Sequence, residues 1–231
     1  MLIRQLFDLE SSTYTYLIAD RAAGVAALVD PVREHLERDL TTLAQLDLRL
    51  IAVLDTHVHA DHVTAAGALR ARTGATTYAS AAGAPCVDRP LHDGDQIAIG
   101  AVVVTARATP GHTDDGLTYL VPGAAFTGDT LLIRGCGRAD FQNGDAGALY
   151  DSITGVLFAL PDDTTVYPGH DYRGQTQSTI GEEKRWNPRL AGKRRDEFIA
   201  LMADLGLPPP RKLAEAVPAN RACGQPIPQG A

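Results

Sequence analysis

The sequence predicts a layered α/β protein in which helices pack outside two β-sheets. Short apolar runs typical of strands alternate with amphipathic segments typical of helices along most of the 231 residues. About ten such strands are too many for a single sheet, which usually holds about 4–6, so two sheets are favoured. The composition agrees with this class, because 45% hydrophobic and 21% charged residues are ordinary for a globular domain.

The first third of the chain predicts a hairpin, two helices and a buried strand. The first helix rests on Leu36, Leu40 and Leu43, which recur at helical spacing. The second helix is expected to end at Gly74, a residue suited to the position after a helix. The expected elements are strands at residues 14–20 and 24–30, a helix at 33–46, a strand at 48–54 and a helix at about 63–73.

The rest of the chain predicts more strands and then mostly helices. Asp145 is expected to cap a helix that carries apolar residues on one face as far as Leu160. A Pro- and Gly-rich stretch over 207–231 predicts an irregular tail packed on one catalytic domain spanning 1–206. Strands are expected at 75–79, 96–99, 102–108, 117–121, 124–127 and 165–167, and further helices near 175–185 and at 193–205.

Charge and hydropathy exclude several classes of function. A formal net charge of −7 argues against binding to nucleic acid or to an anionic membrane. No apolar run approaches the ~20 residues that span a bilayer. Asp8 and Glu10 fall where the apolar core of a signal peptide would lie, so we expect no export or transit segment and a cytoplasmic protein.

The three cysteines are odd in number and widely separated. Cys86, Cys136 and Cys223 form no Cys-x-x-Cys pair, so neither a disulfide framework nor a thiolate zinc site is expected. The sequence instead predicts small buried thiols.

Histidines and aspartates gather in four short motifs that follow predicted strands. These are His57-Val-His-Ala-Asp-His62, Pro110-Gly-His-Thr113, Thr127-Gly-Asp-Thr130 and Pro168-Gly-His-Asp171. Crowded imidazoles and carboxylates held at strand ends are good ligands for zinc or iron. His35 and His92 stand apart from these motifs, so no role in the site is expected for them.

Spacing alone leaves the number of metal ions open. The candidate ligands suit two ions roughly 3.5–4 Å apart, as in two-metal hydrolases. They suit equally well one ion whose ligands are oriented by the remaining groups. A metallohydrolase and a mononuclear iron enzyme are therefore both compatible with the motifs.

In their order along the chain these motifs resemble those of the metallo-β-lactamase superfamily, whose fold is an αββα sandwich. Within it, the segment Thr127–Gln142 resembles the persulfide dioxygenases, as do residues 170–172, 187–190 and 216–220. The likeness runs from about Gln5 to Gly224, and glyoxalase II enzymes share only the Gly-Cys-Gly core of Arg134–Phe141.

The resemblance implies one Fe(II) per chain and glutathione persulfide and O2 as substrates, with sulfite and glutathione as products. Carried over residue by residue, the ligands are His57, His112 and Asp129. It also implies a homodimer. Supporting groups around the metal would be His59, Asp61, His62 and His170, and substrate-binding residues would be Arg138, Tyr172 and Arg189.

Two competing functions use the same histidines. A glyoxalase II-type hydroxyacylglutathione hydrolase would hold two metal ions that activate water. Against it, members of that family carry a longer helical region after the position of His170. A binding module that has lost its metal is the third possibility, and the intact ligand set argues against it.

Overall fold

The computed structural model describes residues 1–208 and 212–225 and contains two six-stranded sheets with helices. This confirms the predicted α/β class with two sheets. Among the described residues, none of the helices combines the length and the apolar character needed to cross a bilayer.

The first sheet has the strand order β1-β2-β3-β4-β5-β6. Its first three strands are antiparallel, and β3 to β6 run parallel. The predicted hairpin is present as β2 and β3, but β1 was not predicted, because its sequence LIRQLF does not alternate apolar and polar residues. The strands are β1 (Leu2–Phe7), β2 (Tyr14–Asp20), β3 (Val25–Val29), β4 (Arg49–Leu54), β5 (Thr76–Ser80) and β6 (Arg89–Leu91).

The second sheet has the order β12-β11-β10-β9-β8-β7. The pair β10 and β11 is parallel, whereas β8, β9 and β10 are antiparallel neighbours. Strands β7 to β11 match the sequence prediction closely. The strands are β7 (Gln96–Ile99), β8 (Val102–Ala108), β9 (Leu117–Val121), β10 (Ala124–Gly128), β11 (Thr165–Pro168) and β12 (Ser178–Thr179).

Five of the six α-helices among the described residues were expected. Asp145 caps α3 as predicted, accepting a hydrogen bond of 2.7 Å from the Ala148 amide. A π-helical turn, Ser152–Leu157, continues that helix, and Gly74 ends the second helix at a φ of 74°. The helices are α1 (Leu36–Gln45), α2 (Ala66–Thr73), α3 (Ala146–Asp151), α4 (Ile180–Trp186), α5 (Arg195–Ala203) and α6 (Leu213–Arg221).

The chain divides into two compact units, each with its own core. Unit 1 holds residues 1–91 and 96–104 together with the described residues 212–225, and unit 2 holds 92–95 and 105–208. In unit 1, α1 and α2 pack Leu43 and Leu69 against buried strand residues such as Val53. In unit 2, Leu149 and Phe198 are fully buried in a second cluster. The single catalytic domain expected over 1–206 stays a prediction.

Two expectations about the end of the chain were wrong. The irregular tail instead contains α6, which packs Ala216 and Ala219 against Val63. Pro218 lies inside that helix, although proline brings no backbone hydrogen-bond donor to a helix interior. The predicted irregular end at 226–231 lies outside the described residues.

The second error concerns the cysteines, because Cys86 and Cys223 form a disulfide with a Cα–Cα distance of 5.8 Å. They are 137 residues apart, so only the fold of unit 1 brings them together. Cys136 is a buried free thiol, as predicted. Burial raises its pKa, although the neighbouring Arg189 acts in the opposite direction.

Candidate metal centre

The first part of the candidate site is the histidine loop, residues 57–62, which follows β4 in unit 1. All three of its histidines are buried, and His59 is fully so. Their rings form a row, with centroids 4.1 Å apart between His57 and His59 and 4.2 Å apart between His59 and His62. The loop therefore concentrates imidazoles in one buried place, as the motif predicted.

Asp30, at the end of β3, orients this loop. Its Oδ1 accepts hydrogen bonds from the Thr56 amide (2.7 Å) and from His59 Nε2 (3.0 Å), and its Oδ2 accepts one from Thr56 Oγ1 (2.9 Å). Because Asp30 takes the Thr56 hydroxyl proton, we infer that His57 Nδ1 donates to Thr56 Oγ1, at 3.0 Å. The lone pair of His57 then lies on Nε2, the atom available to a metal.

The sequence interpretation missed Asp30. The only signal in the sequence is a single Asp between the apolar strand and Pro31. In the structure Asp30 has a φ of 49°. Asp tolerates this left-handed conformation better than most residues do.

The electrostatics of His59 are set by burial and by Asp30. Burial alone would lower the pKa of His59, but the carboxylate of Asp30 and the more distant Asp61 and Asp55 raise it to about 9. His59 Nδ1 is buried and has no hydrogen-bond partner within the described part of the protein. A water that accepts its proton, or a cation that replaces this proton, would satisfy it.

Asp61 and His62 complete the loop. Asp61 Oδ2 lies 2.9 Å from His62 Nδ1 and accepts a hydrogen bond of 3.0 Å from Thr13 Oγ1. The ligand atoms of His59, Asp61 and His62 lie within 4.8 Å of one another, as do those of Asp30, Asp55 and His59. Unit 1 therefore offers two groups of side chains that could hold a cation.

Asn220, in α6, holds the same loop from the far end of the chain. Its Nδ2 donates to the carbonyls of His59 (2.9 Å) and His62 (2.8 Å), while its Oδ1 accepts from the Thr64 amide (2.8 Å). The adjacent Cys223 carbonyl accepts from the Gly67 amide at 2.9 Å. The sequence had marked residues 216–220 only as matching a family motif, with no role attached.

The second part of the candidate site is the His112–Asp129 pair in unit 2. His112 Nδ1 donates to the Arg138 carbonyl at 2.6 Å, so its lone pair lies on Nε2. That nitrogen is 3.6 Å from Asp129 Oδ2. The other carboxylate oxygen, Asp129 Oδ1, lies 2.6 Å from His170 Nδ1, which fixes the orientation of the carboxylate.

Glycines bring the backbone close to this pair. A Cβ atom on Gly137 would lie 2.5 Å from the Asp129 carbonyl oxygen and 2.6 Å from His112 Nδ1. One on Gly169 would lie 2.7 Å from Asp129 Oδ1. The Gly137 amide donates to the Asp129 carbonyl at 2.6 Å. Close packing around the two side chains thus explains Gly137 of the Gly-Cys-Gly pattern and Gly169 of the second Pro-Gly-His pattern.

The pair fits a metal ion. An imidazole nitrogen and a carboxylate oxygen 3.6 Å apart can both reach one ion at roughly 2.0–2.2 Å, and this donor set suits iron or zinc. Each ligand is held by a second hydrogen bond, His112 through Arg138 and Asp129 through His170. Such outer partners are usual for ligands of catalytic metals.

The three predicted substrate residues all lie in unit 2 but differ in their surroundings. Arg138 is tied to Asp140 through Nε (2.5 Å) and one terminal nitrogen (2.6 Å), and it also donates to the carbonyls of Leu207 and Pro208. Arg189 donates through one terminal nitrogen to the Cys136 carbonyl at 2.6 Å. Tyr172 stacks on His170 and is 71% exposed.

Comparison with known proteins agrees with this geometry. A family model described as the metallo-β-lactamase superfamily matches residues 9–85 and 83–170. The crystal structure of ETHE1 from Myxococcus xanthus superposes with a TM-score of 0.96 at 60% identity, covering 97% of this chain and 100% of that one.

Two curated relatives carry the names of the two candidate activities, persulfide oxidation and hydroxyacylglutathione hydrolysis. Human persulfide dioxygenase ETHE1, a mitochondrial protein, is 45% identical over 227 residues, covering 97% of this chain and 89% of its own. A hydroxyacylglutathione hydrolase from Fuscovulum blasticum is 36% identical over 222 residues, covering 94% and 84%.

Proposed function

Because the chain belongs to the metallo-β-lactamase superfamily and, within it, to the persulfide dioxygenases, we propose that it oxidises glutathione persulfide with O2. One persulfide, one O2 and one water give one glutathione, one sulfite and two protons. The observation that carries the proposal is the oriented His112–Asp129 pair in a chain 60% identical to a solved ETHE1.

The proposed ligands of one Fe(II) per chain are His57, His112 and Asp129. Support comes from His57 and His112, whose hydrogen bonds leave the lone pair on Nε2, and from Asp129, one of whose oxygens is already occupied by His170. A set of two imidazoles and one carboxylate leaves positions open on iron, which supplies redox chemistry with O2 when bound. The protein contributes ligand orientation through Asp30, Arg138 and His170.

Substrate binding is assigned first to Arg189. In the described structure a backbone carbonyl uses only one of its guanidinium nitrogens, so the guanidinium group can make a forked contact with a glutathione carboxylate. Arg138 already holds Asp140 and two carbonyls, so for it we propose a supporting part at the edge of the site. Tyr172, which is exposed and stacks on His170, would line the wall of the substrate-binding site.

The second candidate is hydroxyacylglutathione hydrolysis at a two-metal site. The close ligand atoms of His59, Asp61 and His62 favour it, since they could hold a second ion. The relative with that name is 36% identical, against 45% for the human dioxygenase.

We further propose that the protein is a homodimer and lies in the cytoplasm. Because the human relative is named as mitochondrial, fractionation of the source cells is needed to test the location. Sedimentation of the purified enzyme tests the dimer.

The deciding experiment is oxygen uptake by iron-loaded enzyme given glutathione persulfide, with sulfite measured alongside. We expect uptake and sulfite in equal amounts, abolished in Asp129→Ala and unchanged in Asp163→Ala, an exposed matched control. Hydrolysis of lactoylglutathione by zinc-loaded enzyme, with no oxygen uptake by the iron form, would overturn the proposal in favour of the hydrolase.

A further inference from the structure

Asn187 lies directly after α4 in unit 2 and is fully buried. Its Nδ2 donates to the Gly135 carbonyl and to Glu183 Oε2, at 2.9 Å each. Its Oδ1 accepts a hydrogen bond of 3.1 Å from the Arg189 amide. Two acceptors on one side of this side-chain amide and a donor on the other fix its orientation. One buried side chain thus joins the turn that carries Arg189 to the segment that carries Gly135.

The turn after α4, residues 187–191, holds the backbone of Arg189. Asn187 has a φ of −69° and a ψ of 113°, the extended conformation that is expected before a proline. Its carbonyl accepts from the amides of Leu190 (3.0 Å) and Ala191 (2.8 Å), while its side chain takes the amide of Arg189. The position from which the Arg189 side chain starts is therefore set by Asn187.

The Gly-Cys-Gly segment, residues 134–138, holds the other end of the Arg189 side chain. Arg189 Nη1 donates to the Cys136 carbonyl at 2.6 Å. The neighbouring carbonyl, that of Gly135, is the one that accepts from Asn187. Arg189 is thus fixed at its Cα atom by the turn and at its guanidinium group by the segment, and Asn187 contacts both.

The same segment supports the His112–Asp129 pair. The Gly137 amide donates to the Asp129 carbonyl, and the Arg138 carbonyl accepts from His112 Nδ1, at 2.6 Å in each case. Arg138 follows Cys136 by two residues, and two residues span at most about 7 Å. A short piece of backbone therefore sets how far the guanidinium group lies from the pair.

Glu183 supports Asn187 and the beginning of the segment. Its carboxylate is fully buried, and Oε2 accepts from the Arg134 amide at 2.8 Å as well as from Asn187. Oε1 accepts from Ser178 Oγ at 2.6 Å and pairs with the Arg134 guanidinium group. A buried carboxylate that is paired and hydrogen-bonded in this way is a stable support. Asn187 is therefore held in place on the side away from Arg189.

We propose that Asn187 is a positioning residue for substrate selection, which holds Arg189 where it binds a carboxylate of the persulfide substrate. The inference rests on the proposed function, which assigns substrate binding to Arg189. A carboxylate bound by Arg189 places the rest of the substrate relative to the His112–Asp129 pair, because the guanidinium group and the pair share one segment. The enzyme then prefers small persulfides that carry a carboxylate over those that carry none.

The test measures this preference as a ratio. Oxygen uptake gives kcat/KM for glutathione persulfide and for 2-hydroxyethyl persulfide, which has no carboxylate, on one preparation of each variant. The fraction of protein that is folded and iron-loaded enters both values equally, so it does not affect the ratio. We expect Arg189→Met to lose about tenfold or more of the wild-type preference, as for a hydrogen bond to a charged group.

Asn187→Ala should lower the preference about tenfold, because Arg189 is then less constrained at its Cα atom. The double variant Asn187→Ala/Arg189→Met should show the preference of Arg189→Met alone, since substitutions that act through one contact are not additive. A merely structural role of Asn187 would leave the ratio unchanged. Ser178→Ala is the matched control, because it removes a hydrogen bond from the same Glu183 carboxylate but leaves the turn intact. It should keep the wild-type preference.

A second variant covers the case in which Asn187→Ala does not fold. Pro188 is exposed, so Pro188→Gly leaves the buried hydrogen bonds of Asn187 in place while it releases the φ that the proline ring fixes within the turn. We expect the preference to fall by a smaller factor than in Asn187→Ala.

The outcomes separate the inference from the proposed function. Wild-type preference in Asn187→Ala or in Pro188→Gly, or a further loss in the double variant, would overturn the inference and leave the dioxygenase intact. Wild-type preference in Arg189→Met would overturn the inference together with the substrate-binding role of Arg189. A wild-type enzyme that takes up no oxygen with either persulfide would overturn the proposed function itself.

Discussion

The two regions that carry the candidate ligands are supported in opposite ways. The histidine loop of unit 1 is held by side chains, among them Asp30 and Asn220. The His112–Asp129 pair of unit 2 is enclosed by backbone, with Gly137 and Gly169 pressed against it. Side-chain supports can be removed one atom at a time, whereas a backbone support fails when any atom is added. The first region should therefore respond to mutation by degrees and the second abruptly.

The largest expected effect is at Gly137. In Gly137→Ala the new methyl would meet the Asp129 carbonyl and the His112 ring, so the two ligands must separate. We expect activity to fall about 100-fold or more, because shifts of about 1 Å in a site cost that much. Metal content by mass spectrometry and oxygen uptake measure it.

Gly155→Ala is the matched control, because among the described residues no atom beyond its chain neighbours and its own helix backbone lies within 4 Å of the added Cβ. It should bind metal and turn over like the wild type. Equal behaviour of the two variants would show that close packing at Gly137 does not set the ligand geometry.

Loss of the disulfide should give the next largest effect. The disulfide lies in unit 1, which also carries the histidine loop. It closes a loop of 137 residues, so its loss should lower the free energy of unfolding by about 4 kcal/mol. Urea unfolding of the wild type with and without dithiothreitol measures this. Cys86→Ser should unfold at the midpoint of the reduced wild type and should not respond to the reductant.

Asn220 should have a smaller effect on stability. Asn220→Leu keeps the size of the side chain but removes partners from the His59 and His62 carbonyls and from the Thr64 amide. We expect a loss of about 3 kcal/mol in urea unfolding, together with a partial loss of metal affinity. Asn220→Asp retains the acceptor for Thr64 but turns a buried carboxylate oxygen toward the two carbonyls, so it should be at least as destabilised as Asn220→Leu. Full activity in Asn220→Leu would contradict the role given to the side chain.

The smallest effect is one of pH. Burial alone would raise the pKa of Asp8, but hydrogen bonds from Ser11 and His35 lower it to about 2, from 3.8. Since the folded pKa is the lower one, the stabilisation is present above pH 3.8 and is lost as the pH falls toward 2. Asp8→Asn should flatten the dependence of the urea midpoint on pH in this interval. An unchanged acid limb would show that the Asp8 hydrogen bonds contribute nothing to stability.

Elements with a periodic apolar pattern, and residues that stand in short motifs, could be predicted from the sequence. The period of Leu36, Leu40 and Leu43 located α1, and the histidine motifs located the strand ends that carry the loop and the pair. Single residues with distant partners could not be found in this way. Asp30 is one carboxylate among many, and the partners of Cys223 and Asn220 lie more than 130 residues away.

The errors at the end of the chain have the same cause, because they also depend on partners that are distant in the sequence. Pro218 argues against a helix, and helix propensity does not register the contacts of Ala216 and Ala219 with Val63. Tertiary packing formed α6 where local signals favoured an irregular tail.

The position of α6 late in the chain has a consequence for biosynthesis. Every described part of unit 2 precedes residue 209, whereas unit 1 needs residues 212–225 for Asn220 to reach the histidine loop. A ribosome therefore releases all the residues of unit 2 before it releases the last residues of unit 1. Domains generally fold as their residues emerge. The histidine loop then acquires its final support only after unit 2 has emerged, so a nascent chain in which unit 2 is already complete would still lack a finished ligand loop.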